Sequence, residues 1–269
     1  MTPNLAQFLA KNPCPYDFRT SLRHAFAQNA EDGLVAMGGD LAPSTLISAY
    51  SQGIFPWFNE GEPIAWYSPS PRCVIYPHTF TPSKSLKRTA NSQNWSVTIN
   101  RNFPAVIQAC GEARAYADGT WINPDMVLAY TELNTLGFAY SVEVWDDNPC
   151  ESLTATLIGG LYGIKLGQAF FGESMFHRVT DASKVAFLAL MRLCAVSGFA
   201  WVDCQLPNEH LLSLGAQIVP RVDFLQDLPK QIFRESCDWS GAVGKPFLAK
   251  NLLADLPIKN MRNQYRKNL

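Results

Sequence analysis

Two short stretches of this chain set proton-bearing side chains among apolar ones: Phe170-Phe171-Gly172-Glu173-Ser174-Met175 and Trp201-Val202-Asp203-Cys204-Gln205. Side chains alternate across a strand, so Asp203 and Gln205 are expected on one face and Val202 and Cys204 on the other. A carboxylate and an amide two residues apart can orient and polarise an attacking nucleophile. A lone acid is a weak signal, however, and on spacing alone the preferred reading of Asp203 is that it caps a helix or pairs with an arginine. Ser174 follows Glu173 but lacks the frame of a G-x-S-x-G nucleophile, because Phe176 stands where the second glycine belongs. Cys204 with His210 nearby invites a thiol nucleophile; on the face opposite Asp203 it reads instead as a small buried hydrophobe. Phe55, Trp57, Phe58, Trp66 and Tyr67 are either core or the wall of an apolar ligand pocket.

The elements that must position these residues alternate along the chain. Pro43 at a first helical turn and Gly53 past the end bracket a helix over 44–52. Prolines 56, 63, 69 and 71 argue against regular structure after it and mark a domain junction near residue 71. Beyond lie strands over 73–76 and 95–100, helices over 83–90, 104–114 and 124–136, and a half-buried strand over 140–146. Residues 153–166 and 168–171 extend the sheet, interrupted by glycines 159, 160, 163 and 167. A helix over 181–197, capped by Thr180 or Asp181 and ended by Gly198, precedes a strand over 199–204. A short helix over 208–214, a strand over 216–219 and a helix over 223–233 complete a mixed α/β pattern around a central sheet. No GxGxxG or GxxxxGK[ST] follows a strand, so no nucleotide cofactor is expected.

Hydrophobic residues at 47% and charged residues at 17% are an ordinary globular balance in a 269-residue chain, long enough for one large domain or two unequal ones. The N-terminal residues do not read as a signal peptide, and the most apolar stretch, 185–202, is interrupted by Arg192, Ser197 and Gly198, so no membrane span is expected. Seven cysteines without a CxxC pair point to reduced thiols in a cytoplasm, and the four histidines lack metal spacing, so no metal is expected either. The net charge of −1 argues against a nucleic-acid binder until its distribution is read. Residues 72–114 carry six Lys or Arg (Arg72, Lys84, Lys87, Arg88, Arg101, Arg114) against Glu112 alone, whereas residues 115–243 carry seven against fifteen acids. Clustered cations of this kind suit a polyanion; the basic tail of Lys259, Arg262, Arg266 and Lys267 reads as solvated surface.

Seven runs occur in one order: Gly33-Leu-Val-Ala-Met-Gly-Gly-Asp-Leu41, the Gly-Ile-Phe-Pro-Trp-Phe run at 53–58, Trp66 to Arg72, Gly119-Thr-Trp-Ile122, Gly172-Glu-Ser-Met-Phe176, Asp181-Ala-Ser-Lys184 and Val202-Asp-Cys-Gln205. Together they resemble the leucyl/phenylalanyl-tRNA–protein transferase family across residues 31–224. The resemblance implies a small N-terminal domain (1–71) followed by a larger acetyltransferase-like (GNAT-like) domain (72–269). It implies an enzyme that moves leucine or phenylalanine, and also methionine, from aminoacyl-tRNA to an N-terminal Arg or Lys of acceptor proteins, marking them for N-end-rule degradation. It further implies an amino-acid pocket of Trp57, Trp121, Tyr130, Phe170, Met175 and Leu190, and reacting groups Glu173, Asp203 and Gln205. Arg72, Lys84, Lys87 and Arg88 are the expected tRNA contacts. A cytoplasmic monomer without cofactor or metal is expected. Phe171 and His177 stand where similar proteins would carry smaller residues, which would narrow or re-polarise the pocket mouth.

Overall fold

The computed structural model describes residues 3–27, 33–114, 121–235 and 237–253. Two helices, α1 (Leu5–Lys11) and α2 (Phe18–Ala27), lead into a small antiparallel sheet of β1 (Leu34–Met37), β2 (Phe55–Pro56) and β3 (Ala65–Tyr67), ordered β1-β3-β2. Helix α3 (Pro43–Tyr50) joins β1 to β2, with Pro43 at its first turn. The prolines of this region do not exclude strands, contrary to the reading above. They confine them to two or three residues, and Pro56 lies in β2 at the edge of the sheet.

The larger sheet has eight strands in the order β10-β4-β9-β8-β7-β6-β5-β11. These are β4 (Arg72–Ile75), β5 (Ser96–Ile99), β6 (Ala139–Trp145), β7 (Leu157–Leu166), β8 (Ala169–His177), β9 (Trp201–Gln205), β10 (Gln217–Val219) and β11 (Phe247–Leu248). All neighbours are antiparallel except β8 and β9, so the sheet is mixed. The protein is therefore a small N-terminal domain followed by a larger mixed-sheet domain.

Helices cover both faces of that sheet. On one lie α4 (Lys84–Ser92) and α7 (Ala182–Val196); on the other lie α5 (Phe103–Arg114), α6 (Pro124–Thr135) and α9 (Arg221–Ile232). Helix α8 (Glu209–Ser213) follows β9, with the Asn208 side chain accepting from the Leu211 amide as an N-cap. Helix α7 is apolar nearly all round, as a helix pressed between a sheet and neighbouring elements must be. It approaches β7 so closely that a Cβ on Gly159 would lie 2.6 Å from that of Ala182. Its cap differs from expectation: Asp181, at φ 69°, makes no side-chain bond to the helix amides and instead binds Lys184 at 2.8 Å and Thr89 at 3.2 Å.

The glycines at 159, 160 and 163 lie inside β7 and do not break it; only Gly167 turns, forming the β7–β8 hairpin. The strand read over 168–171 continues six residues further as β8 and carries Glu173 within it.

Candidate active site

The ladder between β8 and β9 is short. Ala169, Phe170 and Phe171 pair with Trp201, Val202 and Asp203, after which β8 runs on to His177 while β9 ends at Gln205. A cavity of about 660 Å³ occupies the gap beyond the last pair, lined by Gly172, Glu173, Ser174 and Met175 from β8 and by Val202, Cys204 and Gln205 from β9. Two local irregularities aim these side chains. Tyr162 pairs with Ser174 and Gly163 with Gly172, so Glu173 is the extra residue of a β-bulge. Gly163 is required there, since a Cβ would lie 2.2 Å from the Phe171 carbonyl oxygen. Gln205 has φ 63°, a left-handed conformation that takes it out of the strand's alternation.

Glu173 is buried and almost fully hydrogen-bonded. Its Oε1 accepts from the Tyr50 hydroxyl at 2.7 Å and from Gln205 Nε2 at 3.0 Å, and its Oε2 accepts from the Tyr130 hydroxyl at 3.3 Å. Tyr50 and Tyr130 also lie within hydrogen-bond distance of each other; with one proton apiece the two phenols cannot fill all three contacts at once unless the Glu173 carboxyl itself carries a proton. Burial pushes the Glu173 carboxyl up to about 7, with a further rise from the Asp203 charge; the Tyr50 and Tyr130 hydroxyls and Arg72 pull the other way. Both phenols stand well above their usual range, chiefly through burial and the Glu173 charge, and remain protonated donors.

Asp203 is fully buried and lies behind this group rather than in the cavity lining. Its carboxylate takes Arg72 Nε at 2.9 Å and Nη2 at 2.6 Å, and also the backbone amide of Gln205 at 2.9 Å. The Arg72 guanidinium lies between the rings of Phe55 and Phe224, 5.1 and 4.7 Å from their centroids. Asp203 thus pairs with an arginine and holds the strained turn that sends the Gln205 side chain to Glu173.

Several expectations are corrected by these positions. Arg72 is 1% exposed and bound to Asp203, so it offers no surface to a phosphate. Phe170 is in the core, stacked 6.0 Å from Trp239, and does not line the cavity. Tyr130 is a buried donor to Glu173, not a wall. Phe171 is buried edge-on to Tyr50 and Trp201, and His177 is exposed at the end of β8; neither forms the mouth. Gln205 and Cys204 both reach the cavity, because Gln205 leaves the alternation that would have kept them apart. Burial pushes the Cys204 thiol well above its usual range, which disfavours the thiolate a nucleophile needs.

Trp57, Trp121, Met175 and Leu190 do line the cavity, and Leu161, Tyr162, Phe187 and Val202 join them without having been anticipated. The i, i+3 spacing of Phe187 and Leu190 on one helix face was the available signal. Lys84, Lys87 and Arg88 are exposed on α4. Gly119 and Thr120 of the fourth run, and the four basic residues of the tail, fall outside the described residues. Among the described residues, no group of three or more His, Cys, Asp or Glu is placed to hold a metal ion. None of their helices is long and apolar enough to cross a membrane.

A carboxyl that burial holds near a pKa of 7 beside a cavity can take up and return a proton at neutral pH, as acid–base catalysis requires. Residues 74–229 match the model of the leucyl/phenylalanyl-tRNA protein transferase family, and residues 39–70 match that of the family's N-terminal domain. A leucyl/phenylalanyl-tRNA–protein transferase of Psychrobacter arcticus is 52% identical over 83% of this chain and 82% of its own length. The same-named protein of Psychrobacter cryohalolentis is 51% identical over 83% and 84%, and that of Pseudomonas fluorescens SBW25 is 50% identical over 74% and 85%. Among solved structures, L-PGS from Bacillus licheniformis aligns with 92% of this chain and 76% of its own at 13% identity and a TM-score of 0.39. The chain belongs to the leucyl/phenylalanyl-tRNA–protein transferase family, and it is an enzyme of that transferase class.

Proposed function

We propose that this enzyme takes leucine, phenylalanine or methionine from aminoacyl-tRNA and joins it to the α-amine of an acceptor protein beginning with Arg or Lys, in the cytoplasm and as a monomer, so marking the acceptor for N-end-rule degradation. The observation that carries the reading is Glu173: a carboxyl with a pKa of about 7, buried in the lining of a cavity that also presents the apolar side chains of Leu161, Met175, Phe187, Leu190 and Val202. The donor side chain lies against Leu161, Met175, Phe187, Leu190 and Val202, which brings its ester carbonyl to Glu173 and Gln205. The donor ester is already activated and a free α-amine has a pKa of roughly 8, so much of the work is positioning.

The amine nitrogen bonds to the carbonyl carbon and passes its proton to the Glu173 carboxylate. The bond from carbon to the ribose oxygen breaks, and that oxygen takes the proton back from Glu173. A pKa near 7 suits both steps, since neither form of the carboxyl is costly at neutral pH. Gln205 holds Glu173, and Asp203 holds Gln205. Glu209, at the cavity mouth, favours a cationic acceptor side chain. The exposed cations Lys84, Lys87 and Arg88 lie on α4, which packs on the α7 helix that carries Phe187 and Leu190, and they receive tRNA phosphates. Incubation with Leu-tRNA and an Arg-starting peptide, followed by weighing the peptide, tests the proposal. Addition of one leucyl group is expected; an unchanged peptide overturns it.

A further inference from the structure

We infer that the hydroxyl of Ser174 is a catalytic hydrogen-bond donor that binds the carbonyl oxygen of the donor ester as negative charge develops on it. The inference deepens the transfer reading above and rests on it. Ser174 lines the cavity beside Glu173 and is 8% exposed; its Oγ is buried without a hydrogen-bond partner, and a turn about χ1 is needed to bring it to a ligand in the cavity. A buried hydroxyl left unbonded costs free energy, so such a group in a ligand cavity has a ligand atom as its natural partner. The neighbouring phenols of Tyr50 and Tyr130 are already committed to the Glu173 carboxylate and to each other, and Gln205 Nε2 spends one of its two N–H groups on the same carboxylate.

When the acceptor amine attacks, the carbonyl π electrons move onto oxygen, and a tetrahedral centre forms whose oxygen carries the charge. The charge returns to carbon as the ribose oxygen leaves. A donor at that oxygen stabilises the transition state more than the ground state. The bulge at Glu173 sets the two consecutive residues for different tasks, Glu173 for the proton and Ser174 for the oxygen. Ser174 is not the nucleophile: no base contacts its Oγ.

Ser174→Ala is compared with the parent and with Ser174→Thr in single-turnover transfer from Leu-tRNA to an Arg-starting peptide, with donor affinity measured separately. Removal of one such donor lowers turnover by on the order of 10²-fold in other acyl-transfer enzymes. A loss of that order is expected for Ala, with unchanged donor affinity and melting temperature. The pH–rate limb near 7 should stay in place, because a role confined to supporting Glu173 would move it. Ser174→Thr, which keeps the hydroxyl, should recover most of the rate; if the added methyl unfolds the site, Ser174→Cys, with a weak donor, should fall between Ala and parent. A rate for Ala within about threefold of the parent overturns the inference, as does a loss appearing entirely in donor affinity. A leucyl ester on Ser174, found by mass spectrometry after donor is added without acceptor, overturns it in favour of a nucleophile. Absence of transfer by the parent itself would instead sink the functional reading.

Discussion

Around Glu173 the protein holds a carboxyl in surroundings that disfavour its charge, and the consequences differ for activity and for stability. Activity needs the carboxylate and a neutral acceptor amine, so the rate should climb as pH rises through about 7 and level off only above the amine's pKa of roughly 8. Stability runs the other way. A folded-state pKa raised above the unfolded value of 4.5 contributes stability that is fully present below 4.5 and is lost as pH rises through 7. Glu173→Gln should therefore abolish most turnover yet, at pH 8, melt no lower than the parent; a clearly lower melting temperature would mean that the carboxylate's hydrogen bonds outweigh its desolvation. Asp203 and Gln205 should separate by the same pair of measurements. Asp203→Asn leaves Arg72 buried without its counter-charge, a loss of about 3–5 kcal/mol in comparable pairs, so activity and melting temperature should fall together. Gln205→Ala removes a partly exposed amide and should depress turnover while changing stability by about 1 kcal/mol or less. The double variant should lose less rate than the product of the two single losses, because both residues act through Glu173. Equal melting temperatures for the two single variants would contradict the layered arrangement.

Among the elements, helix α4 is where charge and placement meet. Lys84, Lys87 and Arg88 recur at helical spacing on its exposed side, while Leu86 and Ala90 bury its other side. Changing the three cations to Ala should weaken tRNA binding and reduce the slope of log affinity against log salt by about two to three, leaving peptide affinity unmoved. Titrating binding at several salt concentrations checks it, and an unchanged slope would return these residues to ordinary solvated surface. Arg72 belonged with them in a count of charges along the chain, and burial removes it. Its partner, Asp203, is 131 residues away, and no local pattern links the two. The apolar helix α7 was legible because composition reports burial directly; the alternation of β6 located the strand but misjudged its exposure, since all seven of its residues are buried and Glu143 is held inside by the Ser141 and Thr98 hydroxyls. The second half of β8 was not legible, because a glycine, two polar residues and a bulge erase the period of two just where the strand becomes functional.

At the scale of the whole molecule, the cavity exists because two strands that begin as parallel neighbours stop pairing after Phe171 and Asp203. The mixed α/β class and the central sheet could be read from sequence, as could the two stretches that meet at the cavity; the gap could not, since it depends on where a ladder ends. That gap places the side chains of α7 opposite those of β8 and β9, and it makes a prediction about the donor. Leu161, Phe187, Leu190 and Val202, with Met175 packed on them, bring the apolar cluster of the α7 face to the cavity, while the Glu173 carboxyl is held by Tyr50 and Tyr130 from α3 and α6, where the ester is expected to lie. A donor branched at Cγ, or carrying a flat ring there, places its bulk among the apolar groups. One branched at Cβ places it beside the ester, against polar atoms that cannot move without breaking the Glu173 network. Discrimination on the scale of one methylene is about 1–3 kcal/mol, so kcat/KM with Leu-tRNA should exceed that with Ile-tRNA by roughly 10–200-fold and not absolutely. Phe-tRNA should rank with Leu-tRNA, and Val-tRNA below Ile-tRNA, because valine is β-branched and also reaches less far into the apolar cluster. Leu190→Ala should hollow that cluster and lower the rate with Leu-tRNA while leaving the pH limb near 7 in place. Equal kcat/KM for Ile-tRNA and Leu-tRNA would show that the apolar wall does not receive the donor side chain.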